Sequence, residues 1–336
     1  MIFSRLMTRN PARWSCTDVV GLDFGYTGVK AVRMESTRSG PRVVGAAFLP
    51  AQPMDGAAEV PDLPEALRAK YAACASGSEK NLLRMVNTPS PWPLSPDDLN
   101  RYLREQFGLT AGFRFGAARL GGASESRLVA VAAPDSEIKS VLQRFSSGSP
   151  AVCSYELSAL CTLRAFLDAY AAERTQETVC LIDTGSRSSF ISFVHHGQTA
   201  LIRKSDTGSD IVVDAVMRRL DVDHETALAI TSGQSIDISS VMQEVLDYTF
   251  RQIALARDFV ERELNTRITR LCLSGALSLN PYWKQAMAQI FGIDPDEWDP
   301  FRRIEPPVAG WPMEIRDQKI RLAAAAGACL GVVRRK

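Results

Sequence analysis

Apolar positions along this chain come in two kinds of run. Short, nearly continuous stretches bounded by Gly, Asp or Ser lie at residues 19–24, 29–34, 43–49, 82–87, 113–120, 127–133, 179–183, 189–194, 198–203 and 271–274. Their length and flanks predict strands, several of them buried on both faces. Between them, apolar residues recur at three and four, which predicts helices over 63–76 (Leu63, Leu67, Tyr71), 97–107, 135–145, 155–173, 211–220, 224–231, 238–264, 283–291 and 322–333. In the longest of these, Val241, Val245, Leu246, Phe250, Ile253 and Val260 trace a core face. Strands mixed with helices in this way define an α/β protein.

Punctuation divides the pattern. Residues 50–62 are rich in Pro and Ala and read as a surface loop. Pro89, Pro91, Pro93 and Pro96 interrupt any regular element and mark a subdomain boundary. The unit that follows (helix, strand, strand, helix) closes at 146–150, Ser-Ser-Gly-Ser-Pro. A Pro-rich link at 306–312 leads to the last helix.

At 336 residues the chain has room for two domains with real cores. Its 39 basic and 38 acidic residues nearly cancel, which argues against a bulk nucleic-acid binder. No apolar run reaches the ~18 to 20 residues that cross a bilayer. The Arg-studded start, residues 1–14, lacks the apolar core of a secretory signal. Within it Ile2, Phe3, Leu6 and Met7 suit either a membrane-surface helix or a frayed terminus. Seven cysteines without a Cys-x-x-Cys read as reduced thiols packed in a cytosolic protein, and three scattered histidines suggest no metal site.

The candidate chemistry lies in Gly21-Leu-Asp23-Phe-Gly25-Tyr-Thr27-Gly-Val-Lys30. This is a strand, a tight turn and a returning strand. Glycines let backbone amides approach an anion, Thr27 and Lys30 add donors, and Asp23 suits a hydrated divalent cation. The same residues also suit a plain Gly-rich hairpin capped by Asp and Thr, and short Gly motifs match often by chance. The plan recurs, however, in Val179-Cys-Leu-Ile-Asp183-Thr-Gly185-Ser-Arg-Ser-Ser189. Two such turns half a chain apart predict two similar domains facing each other across a cleft. A third element, Leu271-Cys-Leu-Ser-Gly275-Ala276, is a strand ending in small residues that let a flat ligand lie close.

This ordered trio resembles the phosphate-1, phosphate-2 and adenosine motifs of the actin-like superfamily. Within it the chain is similar to the PilM family of type IV pilus assembly, an FtsA-related group. The resemblance spans nearly the whole chain and rests on Tyr155-Glu156-Leu-Ser-Ala159-Leu160, on Gly208-Ser209 before the Arg218-Arg219 helix, on Asp299-Pro300-Phe301 and on Ala325-Ala-Gly327-Ala-Cys-Leu330. It implies an actin-like (ribonuclease H-like) two-domain α/β fold with an inserted FtsA/PilM-type small subdomain. The expected parts are a basic leader (1–17), a first domain (18–87, 151–176 and 315–336), the insertion (88–150) and a second domain (177–314).

The resemblance also implies ATP or ADP as ligand, with Mg2+ ordered through water by Asp23 and Asp183. Gly25, Thr27, Lys30, Gly185, Ser189, Gly208 and Gly275 would hold the nucleotide. Glu156 would orient the attacking water, although a first-turn helix Glu favoured by the dipole explains it equally. Implied partners are the cytoplasmic N-terminal peptide of a PilN-type single-pass inner-membrane protein, seated between first domain and insertion, the pilus motor ATPase, and further copies of the chain. The implied place is cytoplasmic, peripheral to the inner membrane.

Departures from the family pattern weaken the nucleotide reading. Ala276 stands where a glycine is usual, Ser209 replaces a glycine, Val213 replaces Thr, and Ala227-Leu-Ala-Ile-Thr231 lacks the usual Glu and Lys. The expectation is weak binding and slow or absent hydrolysis: a scaffold, ATPase or pseudo-ATPase. Rivals are a small-molecule kinase of the same superfamily, whose Asp base and substrate loops are not found, and an FtsA-like filament protein. The latter typically carries a C-terminal amphipathic anchor, for which residues 331–336 leave no room.

Overall fold

The computed structural model describes residues 15–50, 63–89, 92–120, 127–145, 150–233 and 236–333. The leader helix at 1–14, most of the 50–62 loop and most of the 146–150 closure lie outside them. The chain forms two compact units, residues 1–169 with 299–336, and residues 170–298.

The first unit contains, in order, β1 (Asp18–Gly25), β2 (Gly28–Ser36), β3 (Pro41–Leu49), a 3-10 turn (Glu65–Leu67), β4 (Tyr71–Ser76), β5 (Leu82–Asn87), α1 (Pro96–Phe107), β6 (Phe113–Arg119), β7 (Arg127–Pro134), α2 (Asp135–Gln143) and β8 (Ala151–Leu157). Helix α3 (Ser158–Tyr170) leads to the second unit: β9 (Thr178–Thr184), β10 (Ser189–His195), β11 (Gln198–Ser205), α4 (Asp210–Leu220), α5 (His224–Ser232), α6 (Ser239–Glu263), β12 (Arg270–Gly275), α7 (Pro281–Phe291) and β13 (Pro295–Asp296). The chain then returns through α8 (Met313–Arg316) and a second 3-10 turn (Lys319–Leu322) to α9 (Ala323–Val332).

The two large sheets share one plan. In the first, the order is β3-β2-β1-β4-β8, and in the second β11-β10-β9-β12-β13. In each, three strands form an antiparallel meander, and the last two run parallel to the first strand of that meander. The small sheet, β5-β7-β6, is antiparallel and has its own core of Leu103, Phe107, Phe115 and Leu128 against α1. Helix α1 starts cleanly because the Ser95 hydroxyl accepts from the Asp98 amide and Pro96 takes the first turn.

Four expectations need correction. Residues 63–76 are not a helix, because Pro64 opens only one 3-10 turn and Tyr71–Ser76 is the interior strand β4, between β1 and β8. Ala72 to Ala75 are wholly buried, and a short run buried on both faces carries no period that separates strand from helix. Residues 155–157 end strand β8 instead of opening a helix, since they pair with Cys74–Ser76 of β4. Strand β5 pairs with β7, so the inserted sheet begins at Leu82, ahead of the Pro run. Residues 299–314 join the first unit, where Phe301 and Ile304 enter its core and the Val43 amide donates to the Glu305 carbonyl (2.9 Å).

Helix α9 is buried on every side, as its uniformly apolar sequence requires. It sits at glycine distance from its neighbours. A Cβ on Gly21 of β1 would fall 2.1 Å from the Ala325 carbonyl oxygen, and one on Gly327 would fall 1.8 Å from that of Cys161 in α3. All seven cysteines are buried and free of disulfides.

Gly327→Ala is therefore expected to cost about 1–3 kcal/mol of unfolding free energy in a urea titration. Gly77→Ala, where a Cβ would meet only the Ser158 hydroxyl at 3.8 Å, should stay within about 0.5 kcal/mol.

Candidate functional site

In the first unit the candidate residues gather at the carboxyl ends of β1 and β8, where ligands of such sheets bind. Gly25 and Gly28 pair across a two-residue hairpin turn with Thr27 exposed at its tip. Asp23 is buried, its carboxylate taking the Ser158 hydroxyl at the start of α3. Lys30 returns along β2 and places its ammonium 3.6 Å from Asp23 Oδ2. That ammonium lies across the turn, 3.0 Å from where a Gly25 Cβ would be. The turn therefore presents a buried acid with a cation beside it, a combination suited to a hydrated metal or a phosphate oxygen. Ser158 was not among the predicted residues. Only the strand ending at Leu157 brings it to Asp23.

Glu156 shares a register row with Asp23, with Ala75 between them, so about 10 Å of sheet separates the two at the usual strand spacing. Its environment departs from expectation. Arg164 on α3 grips both carboxylate oxygens, Nη1 donating to Oε1 at 2.9 Å and Nη2 to Oε2. Nη1 also donates to the Gly327 carbonyl on α9 at 3.0 Å. Burial works against the Arg164 charge, yet the Glu156 carboxylate raises its pKa overall. The forked pair joins β8, α3 and α9, and a carboxylate held at both oxygens is poorly placed to orient a water. The alternative of a first-turn helix Glu does not hold, since Glu156 lies in a strand.

In the second unit the predicted residues again converge at strand ends. Asp183 is half-buried near the end of β9, with Ser274 and Gly275 of β12 beside Asp183 and Thr184 in register. Gly275 has φ +82°, and a Cβ there would fall 2.1 Å from the Thr184 carbonyl oxygen, so a side chain is barred. Gly208 is similarly barred, since its Cβ would lie 2.2 Å from the Ser186 carbonyl oxygen. The turn is self-bonded. The Gly185 amide donates to the Ser188 carbonyl (2.9 Å) and the Ser189 hydroxyl to that of Thr207 (2.7 Å). The Ser209 and Asp210 amides donate to the Gly185 and Ser186 carbonyls at 2.9 and 2.8 Å, which ties the start of α4 to the turn. Gly185 and Ser189 thus build the loop, and their donors point inward to the chain itself. Nearby Asp210 has its pKa raised by burial, with Arg187 3.6 Å away opposing the shift.

Two hydroxyls beside this turn remain without a hydrogen-bond partner among the described residues. They are Thr184 Oγ1 and Ser209 Oγ, each on a residue 2% exposed. Buried orphaned donors are uncommon in folded proteins and suit an anion that supplies the acceptors. Thr184 falls inside the second motif, and Ser209 follows Gly208 just before α4. The sequence marks neither as an open donor, because it does not show which hydroxyls their neighbours satisfy. Among the described residues no three His, Cys, Asp or Glu cluster to hold a metal, and an ion kept in its water shell needs only one or two carboxylates.

The duplicated five-stranded sheets, the acidic hairpin turn in each and the small sheet inserted in the first unit define the actin-like two-domain fold. A chain of the PilM-PilN type IV pilus biogenesis complex has the same fold, with TM-score 0.79 and 17% identity over 94% of this chain and 98% of that one. Weaker likenesses include the ethanolamine utilization protein EutJ from Carboxydothermus hydrogenoformans (TM-score 0.47, 12% identity, 98% and 94% covered) and an archaeal actin homolog (0.45, 12%, 94% and 98%). No protein-family model and no curated protein matches the sequence.

Arg164→Met leaves a buried carboxylate unpaired and should destabilise the protein by about 3–5 kcal/mol. The double variant Glu156→Leu/Arg164→Met should recover much of that in equilibrium unfolding. Equal losses in the single and double variants would show that the two residues are not coupled.

Proposed function

We propose that this chain is a PilM-type actin-like scaffold of a type IV pilus or related secretion assembly platform. It works in the cytoplasm at the inner membrane by binding the N-terminal cytoplasmic peptide of a PilN-type single-pass membrane protein. The observation that carries this reading is the likeness to a chain of the PilM-PilN complex over nearly the full length of both, inserted subdomain included. It fits that no helix among the described residues is long and apolar enough to cross a membrane. Attachment then comes through the partner, and the scaffold couples the motor ATPase to the pilus. A synthetic peptide copying the cytoplasmic N-terminal head of a PilN-type single-span membrane protein from the same organism should bind with micromolar or better affinity in fluorescence anisotropy. Absence of binding to that peptide would overturn the partner assignment.

The nucleotide contacts assigned by resemblance are Asp23, Gly25, Thr27 and Lys30 in one unit and Asp183, Gly185, Ser189, Gly208 and Gly275 in the other. ATP or ADP with Mg2+ is the ligand that the buried acid, its lysine and the unpartnered Thr184 and Ser209 hydroxyls suit. Binding is weak, because donors of the second turn are already taken up by the chain. Hydrolysis is absent or very slow, because Glu156 is held at both oxygens by Arg164. Isothermal titration with Mg-ATP should give weak binding, and Asp23→Ala should reduce it about tenfold or more. Submicromolar affinity with brisk phosphate release would contradict this reading.

A further inference from the structure

Helix α6 carries large apolar side chains that its own unit does not cover. Its buried residues, among them Met242, Leu246, Ile253 and Val260, form one face. Tyr248, Leu255 and Phe259 lie about a third of the way round the helix and are 68%, 55% and 45% exposed. Their spacings of seven and four residues align them over roughly 16 Å of helix. Single exposed hydrophobics are ordinary, but two aromatics and a leucine in one stripe mark an interaction surface. Leu220 is also exposed at the end of α4, next to the start of the stripe, where Arg219 Nη1 lies 3.6 Å from Glu244 Oε2.

The charges beside the stripe indicate what covers it. Glu244, Arg251 and Asp258 follow at heptad spacing along one flank, and Arg262 stands one turn further, so the signs alternate. A two-fold axis through the middle of the stripe, between Ile253 and Ala254, maps this flank onto itself in a second copy. Each residue then meets the one at a similar distance beyond the axis, in an isologous contact. Tyr248 meets Phe259, Leu255 meets Gln252 and Glu244 comes within one residue of Arg262, while Arg251 arrives two residues short of Asp258. Two intrachain pairs of this flank, Arg251 with Asp247 and Arg219 with Glu244, are solvent-exposed and can re-partner at little cost, whereas Asp258 is also held by the half-buried Arg257. A surface hollow of about 820 Å³ lined by Asp258, Glu261, Arg262 and Arg267 opens at the end of the stripe. It lies where the opposing Tyr248 and Glu244 would arrive.

We propose that two copies of this chain associate by docking their α6 helices antiparallel through Tyr248, Leu255 and Phe259, with the Glu244 and Arg262 flanks paired across the two-fold. The test is the mass of the full-length protein by sedimentation velocity and light scattering over a concentration series. The wild type should form a concentration-dependent dimer, and Leu255→Asp should abolish it. That position is exposed, so the variant should keep the wild-type circular dichroism and melting temperature. Glu244→Arg and Arg262→Glu should each weaken the dimer, and the double variant Glu244→Arg/Arg262→Glu should restore it, because both contacts are exchanged together. A wild type that stays monomeric throughout, a dimer indifferent to Leu255→Asp, or a double variant no better than the singles would each overturn the proposal.

Discussion

The first unit depends on a helix that has almost no side chains to offer. Helix α9 approaches β1 and α3 so closely that two carbonyl oxygens occupy the space a methyl group would need at Gly21 and Gly327. At that distance packing is nearly backbone on backbone, and dispersion contacts are dense. The alanine run of α9 and the small residues of β4, Ala72 to Ala75, answer the same constraint. Arg164 closes the arrangement, since one guanidinium bonds a strand carboxylate and the carbonyl of the glycine that made the approach possible. Fold and candidate site are thus the same set of contacts, and Glu156 belongs first to the fold.

The second unit solves the matching problem differently. There the turn after β9 is fixed by its own hydrogen bonds and by two glycines, Gly208 and Gly275, pressed against neighbouring backbone. A loop held this way is preorganised by its own backbone. The turn's own donors are taken up, while the nearby hydroxyls Thr184 and Ser209 have no partner among the described residues.

Much of this was legible in the sequence. The Asp-x-Gly hairpins at Asp23 and Asp183 stand out because strand, tight turn and returning strand leave both a period and a glycine signature. The small residues after Leu271 mark the third motif in the same way. What stayed hidden has physical causes. Strand β4 consists of small residues buried on both faces, so it carries no alternation, and the spacing of Leu63, Leu67 and Tyr71 imitated a helix. The boundary after Glu156 is hidden because apolar Tyr155 and Leu157 suit a strand end and a helix start alike, and the strand runs on to Leu157. The Arg164 clamp depends on where α3 points after that strand. Ser158 and Thr184 carry no mark in the sequence, because a hydroxyl declares its role only through its neighbours.

The seven buried thiols have a consequence of their own. Burial raises the pKa of Cys74, Cys161, Cys180 and Cys329, so these sulfurs are poor nucleophiles while each core stays closed. Cys16, Cys74, Cys153, Cys161 and Cys329 belong to the first unit, and Cys180 and Cys272 to the second. A thiol-selective label can therefore enter only when one unit opens, and the position it marks tells which. The chain carries its own reporters of local breathing, already sorted by unit, with no engineered probe required.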